Sequence, residues 1–229
     1  GGALKVSATE SSVNLSSAGE LLVVDQGEVE FLDEFVDIPS GTMTFAGSGR
    51  FSTGEGIKLA FRVKPNQADG AATLVFDNRG SSTDGCSNDF AKGNIRLGDS
   101  GIGLATLEIH GKDSSNAAYN RITPEGGEPW QLDIGYNKGL GVFNIDGGFI
   151  DVRNNGINVP GWDISVKSEL HATGVVNQTA GFVKVGAYGD PSNKRMYGLN
   201  VGCCDYSLAE SDNVDMCGRY NLSGGTLRV

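Results

Sequence analysis

The chain has 229 residues, a net charge of −10 and a pI near 4.6. Its densest basic stretch is Lys194-Arg195, which argues against nucleic-acid binding by phosphate neutralisation. Glycine supplies 35 residues, against 6 prolines and no Gly-x-y period, which excludes collagen and Pro-rich disorder. No run of about 18 apolar residues occurs, so no membrane-spanning segment is expected.

The opening Gly1-Gly2-Ala3-Leu4-Lys5-Val6 reads as a glycine corner leading into a short strand, and its start in mid-motif suggests a processed or trimmed chain. Period-two runs of β-branched and aromatic residues follow at Leu21 to Val24, Met43 to Phe45, Ile57 to Val63, Ala71 to Phe76, Ile95 to Leu97, Ala105 to His110 and Trp130 to Ile134. Turn clusters such as Gly47-Ser48-Gly49 and Pro65-Asn66 separate them. The polar stretch Asp77 to Gly93, which holds Cys86, is read as a functional or disulfide-pinned loop rather than a strand. Helical periodicity is nearly absent; its best candidate, Ser207 to Met216, amounts to no more than a helical turn. Without a linker, residues 1–229 form a single β domain, with a less regular part over 1–128 and a repeat-bearing part over 129–229.

Three copies of one unit lie in the second half, at Gly141 to Val152, Gly174 to Val185 and Gly218 to Val229. Aligned, they give Gly, any residue, an aromatic or Val, Asn, any residue, Asp/Thr/Ser, Gly/Ala, Gly, then an alternating strand that ends in Val. The corner falls at Gly147-Gly148, Gly181 and Gly224-Gly225, where glycine permits positive φ and close packing. Asn144, Asn177 and Asn221 share one position and suit a hydrogen-bonded ladder, or turn-adjacent Asn in a left-handed conformation. A strand–corner–strand unit cannot bury its apolar side alone, but stacking copies about 4.8 Å apart closes a core. The spacings of 33 and 44 residues require inserted loops of unequal length. A parallel β-helix (β-solenoid) with irregular inserted loops follows. The alternative is an antiparallel β-sandwich or jelly roll, because Asp-Gly and Ser-Gly-Gly are also hairpin signals.

The stretch Tyr220-Asn-Leu-Ser-Gly-Gly-Thr-Leu-Arg-Val229 resembles the repeats of bacterial autotransporter passengers and of PEP-CTERM, exosortase-sorted surface proteins. The resemblance covers mainly residues 141–229, with Gly1 to Val6. It implies a right-handed parallel β-helix displayed outside the cell.

The two ends match each other. Gly1, Gly2, Ala3, Leu4, Lys5 and Val6 are the second half of the unit that the chain completes through Tyr220, Leu222, Thr226, Leu227 and Val229. Uncapped strand edges of this kind join identical subunits head to tail and generate open filaments.

Cys86, Cys203, Cys204 and Cys217 lack zinc-site spacing. In an extracellular chain they imply two disulfides, one member of the vicinal pair joining Cys217 and the other reaching Cys86; four free thiols in a reducing cytosol are the alternative. Calcium is the cofactor that the acidic loops suggest, with Asp205, Glu210, Asp212 and Asp215 as ligands beside the cysteines. Gly98-Asp99-Ser100-Gly101 resembles a serine-protease turn, but His110 and His171 both follow it, so it reads as a turn. Asp133, Asp146 and Asp151 are the carboxylates for glycan lysis or hydrolysis, yet they read first as solvated strand faces. Trp130 and Trp162 offer sugar-stacking platforms, and Asn14, Asn177 and Asn221 head N-glycosylation sequons. No catalytic set is recognised. The expected function is an extracellular structural subunit of a self-assembling surface fibre or sheath, its partner a second copy of itself. Carbohydrate binding or adhesion to a surface glycan is the second reading, and a β-helix glycan lyase or hydrolase the third.

Overall fold

Alternating side chains and short turn-bounded runs produce strands throughout, with no helix among the described residues. The computed structural model describes residues 3–6, 12–14, 20–23, 28–31, 35–46, 50–53, 60–65, 67, 69–77, 87–89, 94–98, 103–111, 119–122, 132–136, 139–153, 156–160, 169–186, 198–202 and 213–229. In chain order the strands are β1 (Ala3–Val6), β2 (Ser12–Asn14), β3 (Glu20–Val23), β4 (Glu28–Phe31), β5 (Phe35–Ile38), β6 (Gly41–Ala46) and β7 (Arg50–Thr53). Then come β8 (Ala60–Val63), β9 (Ala71–Asp77), β10 (Ser87–Asp89), β11 (Asn94–Leu97), β12 (Leu104–His110), β13 (Tyr119–Ile122) and β14 (Leu132–Ile134). The last are β15 (Leu140–Arg153), β16 (Gly156–Val159), β17 (Glu169–Gly186), β18 (Gly198–Val201), β19 (Asn213–Leu222) and β20 (Thr226–Arg228).

Every strand pairing among the described residues is parallel, and every pair with both members within β1 to β14 joins strands three places apart. Three stacks result. The first runs β1, β4, β7, β10, β13, then the second halves of β15 and β17, and ends on β20. The second runs β2, β5, β8, β11, β14, β16, β18. The third runs β3, β6, β9, β12, the first halves of β15 and β17, and β19. Because β15 and β17 turn their corners without losing strand pairing, the first and third stacks merge into one 13-stranded sheet, facing a 7-stranded one.

The antiparallel sandwich is overturned by these pairings. The halves of β15 do not fold back on each other; one lies on β12 and the other on β13, and both carry β17. The register slips around Asp146 while Gly148 takes φ 79°, so the corner bends the strand into the next stack instead of reversing it.

Two local expectations are corrected. Ser87–Asp89 is strand β10, paired on both sides, inside the stretch read as a loop. Residues 213–216 open β19 in place of a helical turn, because β17 offers an unbroken edge to pair with. Residues 207–212 lie outside the description.

The core is built from columns. Val36, Phe61, Ile95, Leu132 and Ile157 follow one another in register up the second stack, and Leu74, Leu107, Phe143 and Val176 up the third; all are 0–1% exposed. Each such side chain contributes about 1.5–3 kcal/mol by burial. At the centre, the rings of Phe45 and Phe76 stack at 5.6 Å, and Phe61 meets both edge-on from the opposite sheet. In the repeats Ile150, Val152, Val183 and Val185 are buried, while Phe149, Phe182 and Lys184 take the alternate positions.

Candidate functional site

The glycine corners form a vertical seam. Gly148, Gly181 and Gly225 all adopt φ near +78° (79°, 77° and 78°), a conformation closed to most L side chains. Beside them, a Cβ on Gly147 would stand 2.3 Å from Gly111 O, and one on Gly224 2.1 Å from Thr179 O, so backbone lies directly on backbone. Asn144, Asn177 and Asn221 come into register, and the amides form a ladder. Asn177 Nδ2 donates to Asn144 Oδ1 (2.9 Å), and Asn221 Nδ2 donates to Asn177 Oδ1 (2.8 Å).

The Asp/Thr/Ser position of the unit ties each rung to the one before it. Thr179 Oγ1 donates to Ile145 O (3.2 Å) and Ser223 Oγ to Gln178 O (3.3 Å). Asp146 cannot donate when ionised, and its carboxylate instead lies 2.8 Å from His110 Nδ1 of the preceding rung. That contact has ion-pair distance without hydrogen-bond alignment, whereas His110 Nε2 lies 3.2 Å from Glu108 Oε2. The polar letter shared by all three copies was visible in the sequence; its downward direction was not.

Gln178 occupies a column that is apolar in the four preceding rungs, above Phe45, Phe76, Ile109 and Ile145, and is fully buried. Its Nε2 donates to Gly181 O (3.2 Å) and Thr226 O (3.1 Å), and its Oε1 accepts from Tyr220 Oη (2.7 Å). Burial pushes the Tyr220 hydroxyl up to about 12. This knot pins the last corner, and nothing in the local pattern singled out Gln178.

The two ends of the stacks carry the expected joining residues. Among the described residues, β1, β2 and β3 at one end each pair with a single strand; Gly1 and Gly2 lie outside the description. At the other end β18, β19 and β20 each pair on one side alone among the described residues. Here the columns stop: Leu199, Tyr220 and Leu227 pack against the core from one side and are half-buried. Val201, Leu222 and Val229 are 44%, 51% and 70% exposed. The large exposed hydrophobics of the described residues thus gather on the last rung, Leu140 excepted. The surface is an apolar platform rimmed by strand edges.

Other expected sites distribute as follows. Cys217 is exposed on β19 with a free thiol; Cys86, Cys203 and Cys204 lie outside the described residues, as do Asp205, Glu210, Asp212, Trp130 and Trp162. Asp215 holds the register position opposite His171, and among the described residues no group of three or more His, Cys, Asp or Glu side chains is arranged to hold a metal ion. Asp133 is buried and accepts from Asn158 Nδ2 at 2.9 Å, a structural bond between rungs of the seven-stranded sheet. Asp37, also buried, takes both Arg62 (Nη2 to Oδ2, 2.8 Å) and Lys64 (3.0 Å). Asp151 stands in register between Arg121 and Lys184. Gly98 turns the chain after β11 with φ 85°, and residues 99–102 lie outside the description.

No protein-family model, curated protein or solved structure matches this chain. No helix among the described residues is long and apolar enough to cross a membrane.

Proposed function

We propose that the chain is a right-handed β-solenoid and that its work is structural: an extracellular subunit that joins copies of itself end to end into a surface fibre or sheath. Three recurring stacks of parallel strands support the solenoid, and the strong preference of parallel crossovers for one hand supports its handedness. The observation that carries the function is the last rung. Among the described residues no further layer lies on its side chains at core positions, Leu199, Val201, Tyr220, Leu222, Leu227 and Val229, or on their backbone edges. A layer of matching strands would cover both at once, and the first rung of a second copy supplies one strand per stack. The acidic, glycine-rich composition suits an aqueous exterior, and calcium in the acidic loops is the cofactor that would fit such a subunit.

Negative-stain microscopy and sedimentation of the purified chain across a concentration series test this reading. Long unbranched polymers are expected, and removal of residues 1–6 should abolish them while the far-UV β spectrum persists. A wild-type chain that stays monomeric at every concentration, or polymers that persist without residues 1–6, would overturn it.

A second reading, glycan binding along the outer face, is favoured by the stacked rings of Phe149 and Phe182, 5.2 Å apart and 8° from parallel at alternate positions to the core. Glycan-array binding that is lost in Phe182→Ala would support it.

A further inference from the structure

The end-joining reading leaves open how the two rims meet. Resting on that reading, we propose that the junction is in register on all three stacks at once: β20 takes β1 of the next copy, β18 takes β2, and β19 takes β3, each in parallel.

Topology dictates the partners. β1 and β20 close opposite ends of one stack, β2 and β18 of the second, β3 and β19 of the third. A neighbour whose first rung lies one strand spacing, about 4.8 Å, beyond the last rung meets all three edges without reversal of any strand. An unrelated strand would cover one edge; another copy brings three edges with this spacing and direction.

Register follows from the columns. Leu4 is in register with buried Val29, Val13 with buried Val36, and Leu22 with buried Phe45. At the other end Leu227 continues buried Val183, Leu199 continues Ile157, and Leu222 continues Gln178. Extending each column by one layer sets Leu227 against Leu4 of the next copy, Leu199 against Val13, and Leu222 against Leu22. These three pairs set apolar against apolar, while two residues earlier on the third stack Tyr220 falls opposite Glu20. A slip of one residue would place Arg228 against Leu4 in one direction, or Leu227 against Lys5 in the other, exchanging core and solvent positions along the rim.

The same register opposes one pair of like charges. Arg228 is exposed and stands beside Lys184 on the neighbouring strand, and position 5 of the next copy falls opposite it. A column of three cations, Lys184, Arg228 and Lys5, would cross the junction. Joining is therefore weakened by charge and strengthened by salt, which screens repulsion between exposed groups. This gives the junction a control that the apolar platform by itself would lack.

Charge reversal across the junction tests the register. The critical concentration for polymerisation is measured by sedimentation at low salt, with a reducing agent present so that Cys217 forms no cross-link. Arg228→Glu and Lys5→Glu should each lower it about two- to fivefold, the range for an opposite-charge cross-strand pair. The double variant, with two carboxylates opposed, should return it to the wild-type value or above. If the two effects multiply in the double variant while fibres still form, positions 5 and 228 do not face each other and the register is overturned, with end-joining intact. If the wild-type chain forms no polymer, end-joining itself fails. Thermal melts establish that each variant folds; should Lys5→Glu not fold, Lys5→Gln combined with Arg228→Glu completes the cycle, and it should remove the gain made by Arg228→Glu.

Discussion

The Tyr220 hydroxyl donates to Gln178 Oε1 across 2.7 Å, tying the last full rung to a fully buried amide in the rung beneath it. The same amide holds Gly181 O and Thr226 O, so a single polar side chain in an apolar column organises the final corner. Such a residue is tolerated in a core when its bonds are made, and costs stability when one is removed.

Tyr220→Phe should therefore lower unfolding free energy by about 1 kcal/mol, the low end for a buried acceptor left unpaired, because Tyr220 is only half-buried. Gln178→Leu should cost less in the Tyr220→Phe background than in the wild type. Urea denaturation of the four chains measures this coupling, and purely additive effects would show that the pair acts independently.

Alkaline pH offers a second check on the same residue. Burial raises the Tyr220 hydroxyl from 10.0 to about 12 in the folded chain, so above pH 10 the unfolded chain releases a proton that the folded chain retains. Its contribution to stability is complete below pH 10 and falls as pH rises towards 12. Wild type minus Tyr220→Phe should show that decline, and the 295 nm titration should lose one late-titrating tyrosine in the variant.

The first glycine of each repeat unit predicts a graded pair of substitutions. A Cβ on Gly174 would lie 2.1 Å from Ile134 O, and one on Gly218 1.7 Å from Val159 O, where the third stack passes the end of the second. Gly174→Ala should destabilise by about 1–3 kcal/mol or more, since backbone must move. Gly202, with φ 96° and nothing within 4 Å of its would-be Cβ, should lose only about 1–2 kcal/mol on the change to Ala, from conformational strain alone. Thermal melts that rank the two in the opposite order would refute the crowding argument.

Asn177→Ala removes both bonds of the amide ladder and should cost about 1–2 kcal/mol, whereas Asn221→Ala removes one bond at an exposed position and should cost less than 1 kcal/mol. Equal losses, by urea denaturation, would mean that the ladder does not stabilise the stack.

Leu222 is 51% exposed, so Leu222→Lys places a charge on the platform without replacing a buried side chain. Polymerisation should fall at least tenfold while the melting temperature stays near that of the wild type. A variant that polymerises normally would move the junction away from this rung.

Much of the second half was legible because its repeats are close copies. Gly141 to Val152 and Gly174 to Val185 align residue for residue, and their buried and exposed positions alternate as period two dictates. The first half was harder. Strands such as Glu28-Val-Glu-Phe and Ser87-Asn-Asp are three or four residues long and largely polar, and alternation over so few positions is indistinguishable from a loop. They are strands because neighbours on both sides supply backbone partners. Asp133 misled for a related reason: its alternate position predicts solvent, but it is buried and bonded to Asn158 of the next rung.

The sequence by itself determined where the chain can turn and which side chains alternate, since glycine at positive φ and period-two patterning are local properties of the backbone. It also marked the shared Asn and the matching ends. Only the tertiary structure decided that the units stack in parallel instead of folding back as hairpins, because Asp-Gly and Ser-Gly-Gly satisfy both geometries until non-local backbone pairing selects one. The same pairing brought Gln178 within reach of Tyr220 and gathered Val201, Leu222 and Val229 on the last described rung, and these relationships join residues that no local pattern connects.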